Sequence, residues 1–77
     1  MNPKFIYYVY LGPIEVGTIK YYQSSSEGSY KVFLNNNLKG TRVRSVERKT
    51  LKESKEFVED KIPDYLQPHL KYAKKKE

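Results

Sequence analysis

Four β-rich runs fall within the first 46 residues, and the links between them are too short to carry a crossover, which restricts successive strands to antiparallel pairing. The runs are rich in β-branched and aromatic residues and are bounded by turn formers, at Lys4 to Leu11, Ile14 to Gln23, Ser29 to Asn35 and Lys39 to Val46. Leu11-Gly12-Pro13 suits a tight reversal, Ser24 to Gly28 is a polar loop, and Asn35 to Gly40 is rich in residues that tolerate left-handed backbone. The spacing predicts a four-stranded antiparallel meander.

After Val46 the hydrophobic period lengthens. Thr50-Leu51-Lys52-Glu53 matches a capping box, in which the Thr50 hydroxyl accepts from the Glu53 amide and the Glu53 side chain reaches back. Leu51, Ser54, Val58 and Ile62 then share one helical face with Phe57 beside them, while Lys52, Glu53, Lys55, Glu56, Glu59 and Asp60 cover the rest. Pro63 stops the helix, because the residue before a proline is pushed out of helical geometry. Leu66, Leu70 and Ala73 at i, i+4 and i+7 predict a second helical stretch interrupted by Pro68, with Lys74 to Glu77 as a frayed tail. The expected fold class is α+β: a four-stranded antiparallel sheet packed on one face by a C-terminal helix, plus a short second helix or tail. The expected organisation is a single β-β-β-β-α domain over residues 1–62 and a helical appendage with a basic tail over 63–77.

A chain of 77 residues buries only about 60 to 65% of its unfolded surface on folding, which leaves little room for a large catalytic cavity. It has no cysteine and one histidine, so disulfides, thiolate metal sites, a cysteine nucleophile and multi-histidine metal centres are excluded. His69 lies between Pro68 and Leu70 with no triad-like spacing around it, and reads as a structural or exposed histidine. The carboxylates Glu53, Glu56, Glu59 and Asp60 alternate with Lys52, Lys55 and Lys61 as on an ordinary solvated helix. No catalytic residue, metal ligand or cofactor is assigned, and an enzyme is not expected. The longest apolar run, Phe5 to Leu11, is far short of the roughly 20 residues a membrane-spanning helix needs, and no cleavage signature follows it. The chain is expected in the cytoplasm of a cell or infected host, with no membrane partner.

Charge is unevenly spread. The net +6 divides into +5 over residues 1–49, −2 over 50–64 and +3 over 65–77. One helix covers only one face of a sheet, so strand alternation indicates what the other face offers. The apolar parity of the first run is Phe5, Tyr7, Val9 and Leu11, and that of the third is Tyr30, Val32 and Leu34. With Val43 taken as the inward residue of the fourth, the expected free face carries Lys4, Tyr8, Tyr10, Lys20, Tyr22, Lys31, Phe33, Arg42 and Arg44, with Ile6 among them. Arg48, in the link to the helix, joins these as a candidate contact or pairs with Glu47 or Glu53 instead. Gly17 marks a possible bulge in the second run. Cations satisfy phosphate oxygens and exposed rings stack on unpaired bases, so such a face suits a nucleic acid approached across an acidic back and a basic front.

Gly28-Ser29-Tyr30-Lys31-Val32-Phe33, then Gly40-Thr41-Arg42-Val43-Arg44, then Thr50-Leu51-Lys52-Glu53-Ser54-Lys55 resembles the AP2-like, arm-site-binding N-terminal domain of phage and transposon tyrosine recombinases, over about residues 28 to 62. The resemblance implies a three-stranded sheet backed by one helix, its exposed face laid into the DNA major groove through Lys31, Phe33, Arg42 and Arg44. Ser54 stands where that family usually has alanine, no tryptophan is present, and an additional strand precedes the match. Two functions stay open. One is a small basic nucleic-acid-binding protein, DNA ahead of RNA, of viral or mobile-element type. The other is a protein-interaction module, such as a small viral regulator or inhibitor, that offers the same tyrosine-rich basic face to an acidic protein. Either form is a monomer or a homodimer, the latter through the Lys4 to Leu11 run as an edge.

Overall fold

The computed structural model describes residues 2–23, 27–35 and 44–76. Strand β1 (Phe5–Leu11) reverses at Gly12-Pro13 into β2 (Ile14–Gln23), which pairs with β3 (Gly28–Leu34), which pairs in turn with β4 (Arg44–Arg48). All three pairings are antiparallel, as the short links require. Gly12 has φ 64°, the left-handed region that a two-residue reversal demands and that glycine enters without a Cβ penalty. Of the expected fourth run, residues 39–43 lie outside the described residues, as do 24–26 of the serine loop and 36–40 of the asparagine link.

The sheet has five strands rather than four. Leu70–Lys76 forms β5, antiparallel to β1, and the order across the sheet is β4-β3-β2-β1-β5. The helix expected around Leu66 to Ala73 is a 3₁₀ turn, Asp64–His69, that contains Pro68 and ends where β5 begins. Lys74, Lys75 and Lys76 are therefore not a frayed tail, because they pair with Tyr7, Ile6 and Phe5. The physical reason lies in the period: Leu70 and Tyr72 pack against the core while Lys71 and Ala73 are exposed, an alternation of two that Pro68 allows to begin by ending the helical turn. It follows that β1 is an interior strand, and the edges of the sheet are β4 and β5.

Helix α1 (Leu51–Asp60) starts as its sequence indicates. Thr50 adopts extended backbone, its hydroxyl oxygen accepts from the Glu53 amide at 3.1 Å, and the hydroxyl donates to the Glu53 carboxylate at 3.2 Å. Ser54 and Val58 are fully buried, Ile62 nearly so, and Leu51 and Phe57 pack beside them. These residues close over Val9, Val16, Ile19, Val32 and Leu34 of the sheet. The buried Ser54 hydroxyl is satisfied by donating to the Thr50 carbonyl at 2.9 Å. At the other end, the Gln67 amide nitrogen lies 3.1 Å from the Glu59 carbonyl, 3.3 Å from the Ile62 carbonyl and 3.2 Å from an Asp64 carboxylate oxygen. A side chain from the following turn thus adds a donor at the end of the helix, where the Glu59 carbonyl also accepts from the Ile62 amide at 3.1 Å.

In β2 the register slips by one residue: Val9 faces Gly17 and Tyr10 faces Glu15, so Val16 is the extra residue of a bulge. Asn35 anchors it, its amide donating to the Val16 carbonyl at 3.0 Å. A Cβ on Gly17 would run into the Phe33 carbonyl and the Leu34 side chain, so this position admits only glycine without a shift of β3. Substituting Gly17→Ala is expected to destabilise the fold by about 2 to 3 kcal/mol, since the obstacle is backbone that cannot rotate away; a urea midpoint equal to wild type would show that the bulge can relax. Gln67→Ala is expected to cost about 1 kcal/mol by removing the Gln67 contacts that tie the following turn to the end of α1, read as a lowered midpoint with an unchanged slope.

Candidate functional site

Pairing register decides which side chains share the face that α1 leaves uncovered. Across the sheet, β5 to β4, one row reads Lys75, Ile6, Lys20, Lys31 and Glu47. The next row toward the β1–β2 reversal reads Ala73, Tyr8, Thr18, Phe33 and Ser45. Beyond it, Lys71 pairs with Tyr10 and Tyr10 with Glu15, and on the opposite side Tyr22 pairs with Ser29. Among the described residues, four lysines and two glutamates thus stand on the uncovered face, together with three tyrosines and Phe33.

Most of the expected residues are brought together there. Tyr8, Tyr10, Lys20, Tyr22, Lys31 and Phe33 all stand on this face, and Phe33 is 41% exposed. Lys4 is exposed just ahead of β1, its amide donating to the Tyr21 carbonyl. The arginines are placed differently. Arg42 lies outside the described residues. Arg44 pairs with Leu34 and Arg48 with Tyr30, so the β4 positions beside Phe33 and Lys31 belong to Ser45 and Glu47. Val46, which pairs with the buried Val32, sets this parity. Arg48 is held on the helix side, its guanidinium 5.3 Å from the Phe57 ring centroid and donating to the Glu47 carbonyl at 2.9 Å.

Two features of this face were not visible in the sequence. Lys71 and Lys75 enter it through β5, which makes it more cationic than the meander alone. Ile6 is only 7% exposed although it stands on the uncovered side, between Lys20 and Lys75 in its row; long lysine stems can shield such a residue while keeping their ammonium groups in water. The cations also sit near rings: Lys75 Nζ is 5.5 Å from the Tyr8 ring centroid and Lys31 Nζ 5.5 Å from that of Tyr22. An open depression of about 800 Å³ adjoins the Tyr22 end, with Tyr22, Lys31, Glu47, Arg48 and Lys49 in its lining, so Arg48 shares this depression with two of the expected residues.

The opposite face holds a second aromatic group, packed rather than offered. Phe5 stacks on Tyr21 at 4.8 Å and 14°, Tyr21 meets Tyr30 at 4.8 Å, and Phe5 meets Tyr7 edge-on at 5.6 Å. Lys74 Nζ caps this group 4.5 Å from the Phe5 centroid. Burial, with the Tyr21 and Tyr7 phenols close by, pushes the Tyr30 hydroxyl above its ordinary pKa. Among the described residues no cluster of three His, Cys, Asp or Glu is placed to hold a metal ion, and no helix is long and apolar enough to cross a membrane.

Tyr72 in β5 is the most perturbed acid. Its hydroxyl is buried without a hydrogen-bond partner among the described residues, Lys55 Nζ lies 4.8 Å from its ring centroid, and burial followed by the charge of Glu59 pushes its pKa up to about 12. The fold holds the protonated phenol, whereas the unfolded chain ionises it near 10, so the contribution is intact below pH 10 and is lost as pH rises toward 12. Tyr72→Phe is expected to leave stability at pH 7 unchanged or to raise it by up to about 1 kcal/mol, since an unpaired buried hydroxyl is removed. It is also expected to flatten the fall in stability between pH 10 and 12. Denaturant titrations of both proteins across that range check this, and a loss at pH 7 would mean that the hydroxyl is bonded.

No protein-family model, no curated protein and no solved structure matches this chain, so its function is argued from the geometry of the uncovered face.

Proposed function

We propose that the protein is a nucleic-acid-binding module that contacts its ligand with the uncovered face of the sheet, and that DNA is the partner to test first. The observation that carries this reading is the row Lys75, Lys20 and Lys31 on β5, β2 and β3, with Ile6 of β1 between the first two, flanked by the exposed Phe33 ring and the half-buried Tyr8 ring on one side and the half-buried Tyr22 ring on the other. Lysines on one face each neutralise a phosphate, and the counterions released make association favourable and salt-dependent. The helix on the other side carries Glu53, Glu56, Glu59 and Asp60 against Lys52 and Lys55, with Arg48, Lys61 and Lys74 offsetting that charge on the same side, so attraction of a polyanion to the open face rests on its own lysines.

The arginine pair expected from the sequence is not the test that this geometry recommends, because Arg44 pairs with Leu34. Lys20 and Lys31, direct register partners, take its place. Replacing both by glutamine keeps a side-chain stem beside Ile6 at position 20 while removing two charges. The double variant is expected to stay within about 0.5 kcal/mol of wild-type stability and to bind DNA more weakly. Its log–log salt dependence should be shallower by about 1.4 to 1.8, the share of two phosphate contacts. Fluorescence anisotropy at two or more salt concentrations measures both. Affinity and slope equal to wild type would remove the lysine row from the interface; absence of binding even at low salt would hand the same face to an acidic protein partner.

A further inference from the structure

We infer that the uncovered face takes single-stranded rather than duplex nucleic acid, with the strand crossing the β-strands along the lysine row and bases stacked on Tyr8 and Phe33. This rests on the nucleic-acid reading above and specifies the form of the ligand. Three dimensions lead to it. First, five strands at about 4.8 Å spacing make a face about 19 Å across, whereas the DNA major groove is about 12 Å wide and admits a helix or a two-stranded ribbon. The whole face cannot seat itself in the groove.

Second, Tyr8 and Phe33 occupy a row separate from that of Lys75, Lys20 and Lys31. Tyr8 and Phe33 stand in one row on β1 and β3, each facing Thr18 of β2, and are therefore about 9.6 Å apart. Lys75, Lys20 and Lys31 stand in the neighbouring row, two residues or about 6.8 Å along the strands. A splayed single strand has the matching layout, a line of phosphates with bases projecting to one side. In a duplex the base faces are stacked on one another and no ring can reach them.

Third, the Phe33 ring is open to a base, and the Tyr8 ring becomes so when Lys75, 5.5 Å from its centroid, turns to a phosphate instead. Phe33 is 41% exposed, and its neighbours in the row are the small side chains Thr18 and Ser45. Small flanking residues leave clearance above the ring for a planar group. Glu47 closes the lysine row at the β4 end, where its charge disfavours a further phosphate.

The test is anisotropy with one labelled sequence presented as single-stranded DNA, as single-stranded RNA and as duplex DNA, using wild type, Phe33→Ala, Tyr8→Ala and Tyr8→Phe. Both single-stranded forms offer the phosphates and free bases that the face recognises, and comparing them separates DNA from RNA. Single strands are expected to bind at least tenfold more tightly than duplex. Phe33→Ala and Tyr8→Ala should each lose about 5- to 100-fold for single strands, with little change for duplex, while Tyr8→Phe retains affinity because the ring remains. Phe33 is exposed, so its variant is expected to melt with wild type, which circular dichroism checks. Duplex binding as tight as single-strand binding, or alanine variants within twofold of wild type on single strands, overturns this inference while salt-dependent binding of wild type still upholds the broader one. No binding of any form overturns both.

Discussion

The burial of Ser54 and Val58 of α1 in one core with Val32 and Leu34 of β3 decides which side of the sheet becomes interior. Everything else about the two faces follows from that contact through the alternation of strand side chains. The helix is ten residues long and the sheet five strands wide, so its cover is completed by Leu66 of the 3₁₀ turn and by Leu70 and Tyr72 of β5, which pack against the same core. With all of this material on one side, the second face is left to lysines, tyrosines, Phe33 and one sheltered isoleucine. One-sided covering is what turns a small fold with a modest core into a molecule with an available surface.

Packing also organises the charge. Cations on the helix side are used within the fold: Arg48 and Lys61 approach the Phe57 ring at 5.3 and 5.5 Å, Lys55 approaches Tyr72, and Lys74 approaches Phe5. Each keeps its head accessible while its stem covers apolar surface. Among the described residues, Lys75 and Lys31 on the other side approach Tyr8 and Tyr22, rings that themselves stand on the uncovered face. The two sets differ in what a ligand would displace: on the helix side it would strip cover from the core, and on the open side it would exchange one partner of a surface cation for another.

Much of this architecture was legible in the residues. Short links, the Thr50 cap and the Leu51, Ser54, Val58 and Ile62 stripe are local signals, and the three hairpin pairings and the helix obey them. Tertiary choices were harder to read. Val43 and Val46 have opposite parity, and only the pairing of Val46 with Val32 shows which one the strand follows. Leu66, Leu70 and Ala73 fit a helical period as well as Leu70 and Tyr72 fit a strand period, and the choice falls to β1, whose free edge gains a partner only if the last segment is extended. Gln67 capping α1 from beyond a proline leaves no sequence signature, because nothing local to Gln67 names the Glu59 and Ile62 carbonyls as its targets.

Pairing of β5 with β1 joins Leu11 to Leu70 and Phe5 to Lys76, the most distant partners in the sheet. Hairpins β1-β2 and β2-β3 close through small loops and form without waiting, whereas this closure carries a larger entropic cost and must follow the structures that lie between. Until it occurs, the β1 edge and the whole of β5 are unpaired backbone. Lys71, Lys74 and Lys75 then serve during assembly as well as at the surface: charged side chains on a waiting strand repel a second copy of itself and leave its proper neighbour as the favourable mate.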